Sequence, residues 1–325
     1  MKALRFKKFG PPSVLAIEEV PRPELRDGEA LVQVKAAAIN PSDVKNVSGH
    51  FPGTTLPRTP GRDFSGTVVA GKKYQGQEVW SSGPGLGITR DGAQAEFVAV
   101  PEEALSLKPR TLSLQQAAAI GVPFLTAWFA LVRVAQLQAG ETILIIGAAG
   151  AVGQAATQIA NWRQARVLGA GRSSDPIPGA DAVINTTTED LRERVFALTQ
   201  AKGADAVFDT VGGAMFEPAL RSLRVGGRQI NITSTRDRRV SFDLVDFYHN
   251  QSRLIGVDSM KFTPRDVAAI AEELRPGFEA GRLQAPPVQL VPFEHAVEAY
   301  EQIAAGQGGP KQVLTLSWFW REARF

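Results

Sequence analysis

Apolar positions fall into two textures along this chain. Through the first hundred residues they come in short runs, at residues 30–34, 66–69, 78–80 and 95–100, divided by Pro21, Pro23, Pro57, Pro60 and the cluster Gly83, Gly85, Gly87. Runs of this length bounded by turn residues predict strands, and their uneven spacing predicts a small, irregular β-domain. After Leu112 the texture changes. Ser113 precedes an apolar, helix-like run over residues 117–134, and from Thr142 onward short apolar strands alternate with helical periodicities.

Those strands fall at residues 142–146, 166–168, 182–184, 206–208, 228–232 and 254–257. Between them Val152, Ala155, Ala156 and Ile159 recur at i, i+3, i+4, i+7, and Leu191, Val195 and Leu198 at i, i+4, i+7. Each set places one apolar stripe on a helix. Strands alternating with helices predict an α/β fold built on a doubly wound parallel sheet. Beyond residue 260 the pattern predicts helices over 265–274 and 294–305 and a closing strand over 312–316. That strand is expected to return to the first domain, because an inserted domain is entered and left at neighbouring points.

Composition narrows the function classes. The 325 residues, 44% hydrophobic and 21% charged, have the balance of a folded protein of two domains. Cysteine is absent and only His50, His249 and His295 are present, so disulfides and thiolate zinc sites are excluded. A net charge of +3 with no run of five like charges argues against a nucleic-acid partner. The longest apolar stretch, residues 117–132, is broken by Gly121, Pro123 and Thr126 and falls short of the ~20 residues of a membrane span. Lys2, Arg5, Lys7 and Lys8 open the chain without the apolar block of a secretory leader, so a cytoplasmic protein is expected.

The strongest chemical signal is the GxxGxxG turn Gly147-Ala148-Ala149-Gly150-Ala151-Val152-Gly153, which follows an apolar strand and opens an amphipathic helix. Small residues there let the backbone approach a pyrophosphate and present helix N–H groups to its charge. A tight packing turn without a ligand is the plainer alternative. The end of the next strand bears on cofactor choice: an acidic side chain there would bond the ribose 2′-OH of NAD, whereas Arg172, followed by Ser173 and Ser174, offers donors to a 2′-phosphate. NADPH is therefore expected, with NADH kept open by Asp175 and a solvated Arg172 as the alternative. Strand ends elsewhere in the sheet point to Thr210, Val211, Gly212, Thr233 and Ser234 as further cofactor contacts, with residues 257–259 as a third group.

Several motifs stand together in order and spacing. They are Pro21-Arg-Pro; Ala37-Ala-Ile-Asn40-Pro41-Ser-Asp43; Pro60-Gly-Arg62-Asp63-Phe-Ser-Gly66; Gly92-Ala-Gln-Ala-Glu-Phe-Val; Leu112-Ser with Ala117-Ala-Ala; Pro123-Phe-Leu-Thr126-Ala-Trp128; the glycine turn; Phe208-Asp-Thr-Val-Gly212-Gly; and Gly309-Pro-Lys311-Gln-Val-Leu. Through them the chain resembles, over nearly its whole length, the zinc-independent medium-chain dehydrogenase/reductases, the group of NADPH:quinone oxidoreductases and enone reductases. The resemblance implies a GroES-like β-rich catalytic domain (residues 1–122 and 262–325) around an inserted Rossmann domain (residues 123–261). It implies a nicotinamide cofactor in the cleft between, and a homodimer formed by pairing of Rossmann edge strands. Lys311 matches a family position near the cofactor, with a charged loop residue as its alternative. Zinc-using relatives place a cysteine where Asn40 stands and a histidine where Arg62 stands, so neither ligand is inherited, and a chain without cysteine lacks their structural zinc loop as well.

Two departures matter. Tyrosines that often follow the Asn-Pro-x-Asp motif are replaced by Lys45 and Phe51, so no tyrosine donor is inherited. The connection from Arg172 to Asp181 carries Pro176, Pro178 and Gly179 and is short for a crossover helix, so that helix is expected to be missing. The chemistry that fits a site without metal or thiol is hydride delivery to an already electrophilic quinone or α,β-unsaturated carbonyl, with a donor aimed at the developing oxyanion. Candidate donors are Asn40, foremost, and Arg62 or Lys45 if their cationic ends turn inward. A turn residue before Pro41 and solvated cations are the alternatives. Asp43 and Asp63 are read as organisers of the loop and the cleft, and His50 as surface. Thr126 either reaches the cofactor or caps its helix. The aromatics after residue 317 are read as docking on the chain's own catalytic domain, with a dimer contact as the alternative. The competing functional class is a non-catalytic dinucleotide-binding module that senses redox state or serves structure.

Overall fold

The computed structural model describes residues 1–234, 237–307 and 309–316, so the aromatic segment after residue 317 lies outside the described residues. Chain contacts divide it into two compact units: residues 1–122 with 260–279 and 285–325, and residues 123–259 with 280–284.

The first unit opens with β1 (Lys2–Phe6) and β2 (Leu15–Glu19), an antiparallel pair that the apolar pattern did not single out. Then come β3 (Glu29–Ala38), α1 (Pro41–Val47), β4 (Asp63–Ala70), β5 (Glu78–Ser82), β6 (Phe97–Pro101), β7 (Ser106–Leu107) and α2 (Leu114–Ala119). The apolar run expected as one helix is broken: α3 (Gly121–Trp128) follows α2 separately and widens into a π-helical turn at Phe129–Val134. Gly121 opens α3, and the absence of a Cβ there, which would lie 2.4 Å from the Asp63 carboxylate, lets that carboxylate approach the first turn.

In the second unit β8 (Thr142–Ile146), α4 (Ala151–Trp162), β9 (Arg166–Gly171), β10 (Ala182–Asn185), α5 (Leu191–Leu198), β11 (Ala204–Asp209), α6 (Phe216–Leu220), β12 (Leu223–Asn231), α7 (Leu244–His249) and β13 (Arg253–Gly256) follow in turn. The six strands are all parallel and ordered β10-β9-β8-β11-β12-β13, so the winding reverses between β8 and β11. In open α/β sheets ligands gather beyond the carboxyl ends of the strands at such a reversal. Leu144, Ile146, Leu168, Ile184, Val195, Val207 and Leu223 form the core of this unit. No helix joins β9 to β10: Ile177, flanked by the two prolines, packs within 3.1 Å of where a Cβ on Gly169 would sit and covers β9 in its place.

The chain then supplies α8 (Pro264–Glu279), β14 (Val288–Pro292), α9 (Ala296–Ala304) and β15 (Lys311–Thr315). β15 pairs antiparallel with β3, which also holds β4 and β6, so the closing strand joins the first unit's sheet; β14, absent from the apolar reading, lies parallel outside it. Residues 280–284, read as part of the catalytic domain, group instead with the second unit. The reason is a two-way clasp: Gln284 N–H donates to Gln158 Oε1 (2.7 Å) and Gln158 Nε2 donates back to the Gln284 carbonyl (3.3 Å). Among the described residues no helix is long and apolar enough to cross a membrane.

Candidate functional site

In the first unit, the end of β3, the start of α1, the start of β4 and the start of β15 bring together Asn40, Asp43, Asp63 and Lys311 from three separate stretches of sequence. Pro41 occupies the first turn of α1, where its missing N–H costs nothing. Asp43 accepts the Asn40 N–H at 2.8 Å and so holds the helix start. The Asn40 side chain then spans two charged groups. Its Nδ2 donates to Asp63 Oδ2 at 3.0 Å, and its Oδ1 accepts from Lys311 Nζ. A carboxylate cannot donate and an ammonium cannot accept, so the amide has one possible orientation.

Asp63 is fully buried; its Oδ2 also takes the Val122 N–H at 2.9 Å, while its Oδ1 is enclosed without a partner. Burial pushes the Asp43 carboxyl up from 3.8 to about 6, helped by the charge of Asp63 and opposed by the Asn40 N–H and the cations Arg62 and Lys311. Burial likewise pushes the Lys311 ammonium down, against the pull of Asp63 and Asp43. Two acids and two cations thus share one desolvated cluster, with Asn40 at its centre.

Arg62 is only 6% exposed, so its cationic end does turn inward. Lys45 does not join the group: it stands on the exposed side of α1, where its carbonyl accepts the His50 N–H at 3.0 Å and faces His50 Nδ1 at 3.2 Å. Lys311, expected near the cofactor, donates to Asn40 Oδ1. Tyr300 was not singled out from sequence. Its buried phenol donates to Gln94 Oε1 at 2.7 Å, and burial together with Asp43 holds its pKa well above 10.0, so the proton stays on.

In the second unit the glycine turn leaves β8 with the Gly147 and Ala148 N–H groups both on the Ala170 carbonyl. Gly150 caps α4 without a side chain, and the N–H groups of Ala151, Val152 and Gly153 have no acceptor among the described residues. A Cβ on Gly153 would lie 2.3 Å from the Gly147 carbonyl oxygen, so only glycine lets the helix start this close to the turn. Unspent N–H groups at the positive end of a twelve-residue helix, beyond a carboxyl strand end, fit a pyrophosphate.

The facing loop is built by Asp209, to which the sequence reading gave no role of its own. Its buried carboxylate accepts from the N–H groups of Val211 (2.9 Å) and Gly212 (2.8 Å) and from Asn231 Nδ2 (2.9 Å). Burial raises its pKa against these three donors. The turn so formed sends Thr210 Oγ1 to the Ile146 carbonyl at 2.7 Å, tying together the ends of β8 and β11. Gly212 abuts the next loop: a Cβ there would lie 2.5 Å from the Thr233 carbonyl and 2.8 Å from Ser234 Cα. Gly147, Thr210, Val211, Gly212, Thr233 and Ser234 are therefore neighbours.

After β9, Arg172, Ser173, Ser174 and Asp175 are all exposed. Ser173 Oγ accepts the Asp175 N–H at 2.9 Å and Ser174 Oγ accepts from Asn185 Nδ2 at 3.3 Å, while the Arg172 guanidinium has no partner among the described residues. Thr126 sits inside α3, not at its end, so the capping alternative fails; its hydroxyl is buried and unpartnered. No cluster of three or more metal-ligating side chains occurs among the described residues.

Family models match in both units: the alcohol dehydrogenase GroES-like domain over residues 26–110 and the zinc-binding dehydrogenase domain over residues 151–275. The chain is 38% identical over 289 residues to a zinc-type alcohol dehydrogenase-like protein of Schizosaccharomyces pombe, covering 87% of this chain and 86% of that one. It is 30% identical over 328 residues to the quinone oxidoreductase of Pongo abelii, covering 97% and 98%. Among solved structures, one titled an NAD-dependent alcohol dehydrogenase superposes with a TM-score of 0.87 at 30% identity, over 98% of this chain and all (100%) of that one. A mycobacterial quinone oxidoreductase does so with a TM-score of 0.87 at 26% identity, over 97% and 100%.

A GroES-like unit and a doubly wound sheet with a glycine turn at its reversal define a dehydrogenase/reductase architecture. The chain belongs to the medium-chain dehydrogenase/reductase family of oxidoreductases, with quinone oxidoreductases among its relatives.

Proposed function

We propose that this protein is an NADPH-dependent reductase of quinones or α,β-unsaturated carbonyls that works without zinc. The observation that carries the reading is the Asn40 side chain held between the Lys311 ammonium and the Asp63 carboxylate. A zinc site wants thiolate, imidazole or carboxylate donors; here the neutral amide oxygen lies against the Lys311 ammonium, whose charge repels a metal cation, and the amide nitrogen has no lone pair to give. Asn40 and Arg62 occupy the positions where the resemblance puts cysteine and histidine in zinc-using relatives.

A bound reduced nicotinamide supplies the hydride; the residues of this chain bind, orient and stabilise. The N–H groups of Ala151, Val152 and Gly153 hold the pyrophosphate, and Arg172 with Ser173 and Ser174 meets the 2′-phosphate. Thr126 offers a buried hydroxyl with no other partner. The second N–H of Asn40 Nδ2 donates to the substrate oxygen as negative charge develops there, and Lys311 keeps that amide from turning. One preorganised donor of this kind is worth about 100- to 1,000-fold in rate. The reduced oxygen takes its proton from water.

The protein is further taken to act as a homodimer through β13, one of the two outer strands of the parallel sheet. Beside it, in the same crossover, α7 exposes Leu244 (64%), Val245 (52%) and Tyr248 (56%). A turnover assay over quinones, enones and enoyl thioesters tests the main reading. NADPH binding without oxidation above buffer across that panel would replace it with the non-catalytic module.

A further inference from the structure

Toward the amino ends of the second unit's strands lies a cavity of about 270 Å³. Leu223, the first residue of β12, and Ser252, which precedes β13, both border it. The glycine turn follows the carboxyl end of β8 in the same parallel sheet. None of residues 147–153, Thr210, Val211, Gly212, Thr233 and Ser234 is among the residues that line it. The cavity is therefore no part of the nucleotide site, and none of the residues assigned to the reaction lines it.

Its floor is apolar: Phe196, Leu220, Leu223 and Phe247. Its rim is charged, and the charges are unevenly used. Glu217 accepts the Asp243 N–H at 3.1 Å, Asp243 caps α7 through the N–H groups of Val245 (2.8 Å) and Asp246 (3.2 Å), and Asp246 pairs with Arg221 at 3.5 Å. Each rim carboxylate is thus engaged. Arg192 is not: its guanidinium lies 4.6 Å above the Phe196 ring, with no acidic partner among the described residues. A guanidinium stacked on a ring keeps its N–H donors available to an anion.

We propose that this cavity binds a small amphipathic anion, a single aromatic ring or short chain bearing one carboxylate, with its apolar body on the floor and its carboxylate on Arg192. The size agrees. An apolar cavity of about 150 Å³ accepts benzene, so this one takes a ring with a side chain of two or three carbons. At ordinary ligand efficiency a molecule of about eleven heavy atoms binds with Kd on the order of 1 mM.

The test is calorimetric titration of the full chain with three probes of matched shape: 3-phenylpropionate, 3-phenylpropanol and 3-phenylpropylammonium. 3-Phenylpropionate should bind most tightly. Arg192→Gln, at an exposed helix position, should weaken it about tenfold and leave the alcohol unchanged, whereas Arg192→Lys should restore part of the loss. Arg172→Ala, at an exposed position assigned to the nucleotide, should leave 3-phenylpropionate binding intact, so this outcome does not depend on the proposed oxidoreductase activity. Preference for the ammonium, equal binding of all three probes, insensitivity to Arg192→Gln, or loss in Arg172→Ala would each overturn the proposal. So would the absence of binding at millimolar concentration.

Discussion

Replacing Asp43 by asparagine should make the protein more stable at neutral pH. The carboxyl of Asp43 is raised by burial from 3.8 to about 6, despite the Asn40 N–H and the nearby cations. A folded value above the unfolded one means that the contribution of the protonated group is complete below about pH 4 and is lost as pH rises through about 6. A rise of about two units corresponds to about 3 kcal/mol, so above pH 7 the native state carries that penalty for a buried carboxylate. Asparagine has nearly the same shape and keeps an oxygen to accept the Asn40 N–H, but it has no charge to desolvate. Lys311 and Arg62 lose a counter-charge in the variant, which returns part of the gain. The expected net effect is about 1–3 kcal/mol in favour of Asp43→Asn at pH 8, shrinking towards nothing at pH 4.5. Urea unfolding of both proteins across that range measures it, with Trp80, buried in the same unit, as one reporter. Two curves separated by a constant offset, or a variant that loses stability relative to wild type as pH rises, would refute the reasoning.

Lys311→Met should leave nucleotide affinity unchanged and lower kcat by about 100-fold, because it frees the Asn40 amide. If nucleotide affinity falls instead, Lys311 serves the cofactor. Gly153→Val should weaken NADPH binding by more than tenfold in fluorescence titration, since its Cβ would sit 2.3 Å from the Gly147 carbonyl oxygen. Arg172→Ala should weaken NADPH far more than NADH, by about 1–2 kcal/mol for a lost charge-assisted bond; equal loss for both would end the 2′-phosphate assignment. Leu244→Lys, at a position 64% exposed, should shift the protein from dimer to monomer in light scattering, and an unchanged mass would remove α7 from the interface.

What sequence made legible follows the range of the interactions concerned. The glycine turn is local: a strand, three glycines and an apolar stripe lie within a few turns of one another, and the structure repeats them in that order. The missing helix after Arg172 was equally local, because two prolines and a glycine within ten residues leave no room for one. The cluster around Asn40 is the reverse case. Its closing contact, from Lys311, spans 271 residues, and the bond from Tyr300 to Gln94 spans 206. Periodicity placed residues 312–316 on a strand but carried no information that its first residue would meet the end of β3. Family motifs named Asn40 and Arg62 as candidate donors and Lys311 as a residue near the cofactor, with nothing to join the three. Only the antiparallel pairing of β15 with β3 makes them one electrostatic unit. Asp209 stood inside a motif without a role for a related reason: the three donors that converge on it come from its own turn and from β12. Buried polar residues serve partners supplied by other elements, so their roles become readable only once pairing is known. The residues that sequence placed least well are therefore the ones whose protonation and orientation bear most directly on the chemistry.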